Sequence, residues 1–375
     1  MTEVVPLRTI AREWLWIGIT GFGGPPAHIA LLRRLCVDRR GWVSATEFED
    51  GVAACNLLPG PASTQLSIWL AWRLRRTVGA LLGGVCFIAP GLVAILGLSV
   101  VFLARAPHPV VLGAAAGAGA AVAAVAVHAA ASLVPSSWKR ASGVWGRRRW
   151  LLYAFLGAVA PLVIGPWVVL VLLGAGVAEV LVHRHRFRAP AALVPVFGGL
   201  APLAWTAFKV GALSYGGGFV IIPLMQSDAV RRYHWLSDGQ FLYAVALGQI
   251  TPGPVVHTVA VVGYAAAGIG GGLLAAAIAF APSFLFVILG APHFDALRGN
   301  AAAQSFLTGA GAGAIGAIAG SSILLGLGIG HLWQIAVLAL AAVWLLVLRR
   351  GVVPALIGSA ALGILAALVG LPVSA

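Results

Sequence analysis

The chain has 375 residues, 61% of them hydrophobic and 9% charged, with a formal net charge of +14. Soluble domains carry roughly 25% charged residues, so this chain has too little polar surface for a water-soluble globule. The positive excess is almost all arginine placed between apolar runs, which marks membrane-flanking anchors and not a nucleic-acid surface, while Cys36, Cys55 and Cys86 show no CxxC or Cys/His spacing, so neither a disulfide framework nor a metal site or other cofactor is expected.

Glu3 and Glu13, with no short apolar core before a cleavage site, make an N-terminal leader unexpected. A spanning helix needs about 20 apolar residues, and hydropathy marks first-half segments near 10–32, 47–72, 77–104 and 108–134. A polar stretch follows with Lys139, Arg140, Arg147, Arg148 and Arg149, then short segments 150–164 and 166–182 divided at Gly165-Pro166. The basic turn from His183 to Arg188 is the natural seam. Beyond it the order repeats near 199–225, 240–264, 270–292, 300–328, 331–348 and 351–372. The expectation is an all-α polytopic membrane protein of two homologous helical repeats, 1–190 and 191–375, with about twelve segments.

The repeat is visible residue by residue. Gly18, Gly21-Phe22-Gly23-Gly24-Pro25, Trp42, Phe48 and Pro59-Gly60-Pro61 recur as Gly211, Tyr215-Gly216-Gly217-Gly218, Trp235, Phe241 and Pro252-Gly253-Pro254, each equivalent pair 193 positions apart. Leu31/Leu224, Arg39/Arg232 and Ser44/Ser237 share the register. Duplication in an apolar chain is how many secondary transporters are built. An odd number of spans per half inverts the halves and an even number makes them parallel. An N-terminus inside puts Arg73, Arg75, Arg76 and the 139–149 cluster in the cytoplasm but leaves Arg33, Arg34, Arg39 and Arg40 outside, against the positive-inside rule.

Segments 47–72 and 240–264 are interrupted by Pro59-Gly60-Pro61 and Pro252-Gly253-Pro254. Proline removes a donor and clashes with the preceding turn, and glycine allows the bend. An interrupted backbone is tolerable in hydrocarbon only where protein or a water-filled cavity satisfies it. Each break restarts a helix with free amides at Ala62, Ser63 and Thr64, or at Val255, Val256 and His257, and such an end attracts anions. Asn56 and Gln249 match in register before the breaks. Ser63, Thr64 and Gln65 follow the first break, and Thr251, His257 and Thr258 surround the second. These groups give hydrogen bonds without fixed charge, as binding and releasing a tetrahedral oxyanion requires. A simple kink with hydroxyls bonded to their own turn is the plainer alternative. The glycine strings at Gly23, Gly24 and Pro25 and at Gly216, Gly217 and Gly218 serve close backbone approach to a substrate or helix packing equally well. Lys209 stands in an apolar stretch opposite Trp16 in register and reads as an unmatched intramembrane cation, with snorkelling as the alternative. His28 and His128 read as core histidines, and Glu47, Glu49 and Asp50 as a solvated helix start.

These motifs resemble the chromate ion transporter family in its long, two-repeat form. The resemblance rests on Gly21-Phe22-Gly23-Gly24-Pro25 with Ala27-His28, on Leu58-Pro59-Gly60-Pro61-Ala62-Ser63-Thr64-Gln65, on Lys209-Val210-Gly211, on Tyr215-Gly216-Gly217-Gly218, and on Thr251-Pro252-Gly253-Pro254. It suits a fused duplication with inverted halves of broken helices, which the count of six segments per half meets only if one segment per half is re-entrant. It implies export of chromate across the bacterial inner membrane driven by an electrochemical gradient, with chromate resistance as outcome. It also implies competition by sulfate; a sulfate-like oxyanion is the alternative substrate, and a homodimer is an admissible assembly. The chain has no GxxxxGK[ST] phosphate loop. An intramembrane enzyme would need a nucleophile–base pair, and Ser63 with His257 lacks an orienting acid.

Overall fold

Residues 5–104, 107–183, 200–214, 221–294 and 300–373 are described by a computed structural model, which places helices and short connections but no strand among them. Helix α1 (Leu7–Thr20) ends at Gly21, and α2 (Pro25–Arg33) starts on Pro25 behind Gly23 and Gly24, whose φ angles are +96° and +74°. Glycine takes such angles without strain and proline suits a first helical turn, so this string reverses the chain. α2 continues as a π-helical stretch, Arg34–Arg39. Arg40 then bonds Glu13 at 2.5 Å and Trp42 stacks on Trp14, closing α1 and α2 into a hairpin.

A second hairpin follows. Ser44 caps α3 (Ala45–Leu57), which runs to the first Pro-Gly-Pro break, and the first leg of α4 (Ala62–Phe102) runs back. Glu47 pairs with Arg73, and Gly51 lies against the ring of Trp69. Both contacts straddle Gly60 symmetrically, as only antiparallel legs allow. At Arg75 and Arg76 the helical dihedrals fail and the chain reverses once more, laying Gly79 on the carbonyl of Ala71. The leg 77–102 is therefore the first long crossing, about 39 Å at 1.5 Å per residue. The half is completed by α5 (Pro109–Arg140), α6 (Gly143–Val163) and α7 (Val168–Val182).

The second half contains α8 (Ala201–Leu213), α9 (Ile221–Gln226) with its π-helical extension Ser227–Arg232, and α10 (Asp238–Ile250) under a capping box from Ser237. After the second break come the turn Val255–His257 and α11 (Thr258–Gly290), which reverses at Ala267 and Gly268. α12 (Ala301–Leu327), α13 (Leu332–Ala342, extended by Val343–Val347) and α14 (Val352–Leu368) close the chain. The π stretches at 34–39 and 227–232 coincide in the repeat register, and Trp42 and Trp235 donate backbone bonds to Cys36 and Ala229, both at 2.8 Å.

The long legs 77–102 and 269–290 are equivalent and pack side by side. Gly84 meets Phe284 and Leu96 meets Gly272, so they run in opposite directions and the halves are inverted. The remaining helices interlock across the halves: α5 packs on α13 and α14, and α12 on α6 and α7. Small residues bring these backbones together, Gly113 and Gly117 against Gly363, and Gly316 and Gly320 against Ala154 and Ala158. A Cβ at Gly316 would overlap the carbonyl of Ala154. Gly316→Leu is expected to destabilise the protein by about 3 kcal/mol, read as a lowered melting temperature in detergent, while Gly326→Leu, with open space around it, should melt as the parent.

Among the described residues four helices are long and apolar enough to cross a membrane: α4, α5, α11 with its leading turn, and α12; α7, α13 and α14 are shorter apolar helices. The expected spans 10–32, 47–72 and 240–264 are corrected. The first two are hairpins, because the glycine-proline break in each folds the chain back instead of onward. In 240–264, Gly248 meets the Thr258 side chain, so α10 and the start of α11 fold back in the same way. This removes the orientation conflict: Arg33 bonds Glu49 at 3.2 Å on the face that also carries Arg40, Arg73, Arg75 and Arg76. Arg140 and Arg149 share that face, lining with Glu179 and Ser305 a cavity of about 490 Å³. The 184–188 seam, the 190/191 boundary and Tyr215, Gly216, Gly217 and Gly218 lie outside the described residues.

Candidate functional site at the junction of the helix breaks

The breaks of the two halves meet each other. Gly253 N donates to Gly21 O at 2.9 Å, joining the tip of the first hairpin to the second Pro-Gly-Pro break. Gly91 abuts the carbonyl of Pro252 and the ring of His257, and Ser283 Oγ lies against Gly60 beside Gln65. Gly91 and Ser283 belong to the paired strings Ala89-Pro90-Gly91 and Ala281-Pro282-Ser283, which are 192 apart. Each half thus lays an Ala-Pro-small step of its long leg on the other half's break. The sequence reading missed both positions, because the register slips by one residue between the Pro-Gly-Pro breaks and the turns at Arg75-Arg76 and Ala267-Gly268.

Gly60 and Gly253 take φ angles of +123° and +91°, conformations that suit glycine. Restarting on Pro61 and Pro254 leaves few donors free. Thr64 N and Gln65 N bond Pro61 O at 2.9 and 3.0 Å, and His257 N bonds Pro254 O at 2.9 Å. The expectation of three free amides per break is therefore corrected to two, Ala62 and Ser63 in one half and Val255 and Val256 in the other, which find no backbone acceptor among the described residues. The tightened first turn consumes the third.

The side chains at the junction are buried, neutral and partly unpaired. His28 is a fully buried, satisfied core histidine, as expected, and it bridges Gly21 O at 2.9 Å and Ser63 Oγ at 3.2 Å. Gln65 Nε2 donates to Pro59 O at 2.7 Å while its Oε1 has no partner. Thr64 Oγ1, Ser283 Oγ and Gln249 Nε2 are buried without partners. His257 packs edge-on to Phe280, and neither ring nitrogen makes a well-formed hydrogen bond. Thr251 and Thr258 instead bond back to Leu247 O and Val255 O at 2.9 and 2.8 Å, so their hydroxyls are committed to their own turns. Burying an unpaired donor costs about 1–3 kcal/mol, so this set is disposed to accept a ligand. Asn56 and Gln249, matched in register, are not matched in environment: Asn56 is exposed and Gln249 buried.

Lys209 is buried, but it is not the unmatched cation expected. Its ammonium bonds Asp228 Oδ2, which also accepts from Thr206 Oγ1 at 2.9 Å. Asp228 escaped the sequence reading because it lies 19 residues away on another helix, where helical periodicity gives no signal. His128 takes no place in the junction contacts.

The chain matches the family model described as "Chromate transporter" over residues 8–180 and 201–370. It is 34% identical to the "Chromate transport protein" of Cupriavidus metallidurans, covering 85% of this chain and 82% of that protein. It is 30% identical to the "Probable chromate transport protein" of Synechococcus elongatus, covering 85% and 84%, and 29% identical to a "Chromate transport protein" of Pseudomonas aeruginosa, covering 86% and 82%. No solved structure matches.

Proposed function

The chain belongs to the chromate transporter family, and on that premise we propose that it is a secondary carrier moving chromate out of the cytoplasm across the bacterial inner membrane, conferring chromate resistance. The observation that carries this reading is the junction itself. Buried unpaired donors from Thr64, Ser283, Gln249 and His257 collect where the breaks of two inverted halves touch. Transporters of inverted repeats hold their substrates at such interfaces, with half-helix N-termini turned to anionic groups. Asn56, Ala62, Ser63, Gln65, Thr251, Thr258, Gly60 and Gly253 complete the proposed binding region, together with Lys209. The arginine-rich face that carries Arg40, Arg73, Arg75, Arg76, Arg140 and Arg149 is assigned to the cytoplasm by the positive-inside rule, and it draws the anion to that side.

Neutral donors recognise a tetrahedral dianion by shape, so sulfate is the natural competitor. The test is uptake into inverted vesicles, comparing chromate, sulfate and molybdate with and without a membrane potential. Chromate entry above that of vesicles lacking the protein, accelerated by an inside-positive potential, is expected; entry equal to the blank overturns the reading. Gln249→Leu should weaken anion affinity roughly tenfold to a hundredfold, the effect of losing one hydrogen bond to a charged acceptor. Asn56→Leu should weaken it less, since that amide is exposed and not enclosed as Gln249 is. Equal affinities in the parent and Gln249→Leu would return Gln249 to a structural role.

A further inference from the structure

The pair formed by Lys209 and Asp228 is built differently from the other ion pairs. Asp228 has no exposed surface and Lys209 is 3% exposed. Both donors, Lys209 Nζ and Thr206 Oγ1, fall on Oδ2, leaving Oδ1 buried with no partner. The carboxylate sits in the π-helical stretch Ser227–Arg232, and π turns in helices occur frequently at functional sites. The corresponding hairpin of the first half is closed by Glu13 and Arg40, whose guanidinium side chain is 40% exposed and lies over Trp42. That pair reaches water; the second does not. The register partners of Lys209 and Asp228 are Trp16 and Leu35, so the dry pair occurs in one half alone.

Its position relates it to the junction. Two residues beyond Lys209, Gly211 lies on the carbonyl of Ala279, and the adjoining Phe280 meets the ring of His257. Lys209 is thus less than one helical turn from the level of the break site. While it is bonded to Asp228 its charge is cancelled and unavailable to an anion. Trp205 lies 5.9 Å from the ammonium, so the side chain has a second favourable neighbour when it leaves the carboxylate.

We propose that Asp228 is the coupling-proton site of this carrier: a proton bound on its open Oδ1 releases Lys209, whose ammonium becomes the counter-charge of the transported anion. The inference rests on the anion-carrier reading above. The proton comes from water and converts the carboxylate to a neutral acid, and Lys209 stays an ammonium throughout. Proton and anion therefore bind together, one proton per cycle because there is one such pair among the described residues. A dianion with one proton carries a single net negative charge, so an inside-negative potential drives it outward. Helix N-termini alone supply roughly half an elementary charge each, which leaves a buried dianion undercompensated unless Lys209 is freed.

The titratable and charged groups on the elements around Asp228 are few. α8 presents Lys209; the π stretch itself carries Arg231 and Arg232, both exposed, and is followed by half-buried Tyr233, whose backbone amide donates to Asp228 O at 2.9 Å, and exposed His234. α10 has Asp238 at its exposed start and Tyr243 buried further along, and α7 has Glu179, held by Arg149 at its far end. α12 and the turn Gly165–Trp167 offer none. Asp228 is therefore the carboxylate among the described residues that meets both conditions, full burial and an open oxygen.

The experiment uses the full chain in liposomes with a lumenal pH dye, following radiolabelled chromate and protons together. The parent should acidify the lumen in step with anion entry, and an acid exterior should speed entry severalfold. Asp228→Asn should bring the proton-to-anion ratio to zero and remove the response to a pH gradient, whatever its rate. Asp228→Glu, which keeps a titratable oxygen, should retain a measurable ratio and covers the case in which the Asn variant does not transport. Anion entry without lumenal acidification in the parent, an unchanged ratio in Asp228→Asn, or loss of the ratio in a transporting Asp228→Glu overturns the coupling site. Such results leave anion carriage standing, whereas no anion entry at all in the parent removes both.

Discussion

Gly91→Leu is expected to abolish anion transport and to destabilise the protein by about 3 kcal/mol. The first carbon of a side chain at this position would overlap the Pro252 carbonyl and come within 2.6 Å of the His257 ring. Neither can give way cheaply. Pro252 belongs to a break whose neighbour Gly253 is fixed by the bond to Gly21 O, and His257 opens the returning leg of its hairpin. The added side chain would act as a wedge between the inverted halves, at the level where they enclose the proposed anion site. Gly97 on the same helix faces open space, so Gly97→Leu should match the parent in both stability and uptake. Native uptake by Gly91→Leu would show that close contact between the long leg and the opposite break is dispensable.

The second large effect concerns the dry ion pair. Lys209→Gln leaves the buried Asp228 bonded to Thr206 alone, and breaking a buried pair in this way costs about 3–5 kcal/mol. Transport should fall to a small fraction of the parent rate or vanish, because the anion loses the counter-charge proposed for it. Lys209→Arg keeps a cation at the carboxylate and should retain part of the activity, limited by fitting a larger planar head into a packed position. Combining Lys209→Gln with Asp228→Asn removes both charges and should recover most of the stability while transport remains impaired. Thermal unfolding and vesicle uptake, measured on the same preparations, separate the two consequences. Parent-like melting of the single Lys209→Gln variant would mean that the carboxylate is compensated from elsewhere.

The sequence by itself determined a good deal. Low charge and long apolar runs made the protein a helical membrane protein, since such a chain cannot cover itself with polar surface. The 193-residue register declared the duplication and located both breaks, because glycine and proline impose their backbone consequences locally. Ser44 and Ser237 were paired in sequence and both turned out to cap a helix. What the sequence left undecided is what requires contacts between distant segments. Hydropathy measures how apolar a stretch is and not which way it runs, so a re-entrant hairpin and a crossing helix look alike. Only the packing of Glu47 on Arg73 and of Gly51 on Trp69 shows that the chain folds back. The inversion likewise rests on Gly84 meeting Phe284 while Leu96 meets Gly272, pairings of residues far apart in sequence that no local periodicity announces. The same holds for Lys209, whose meaning depends on a partner supplied by another helix. Alone in an apolar run it is an uncompensated charge; beside Asp228 it is a neutral pair with one open oxygen, because the low dielectric that penalises a single buried charge also binds two opposite ones together.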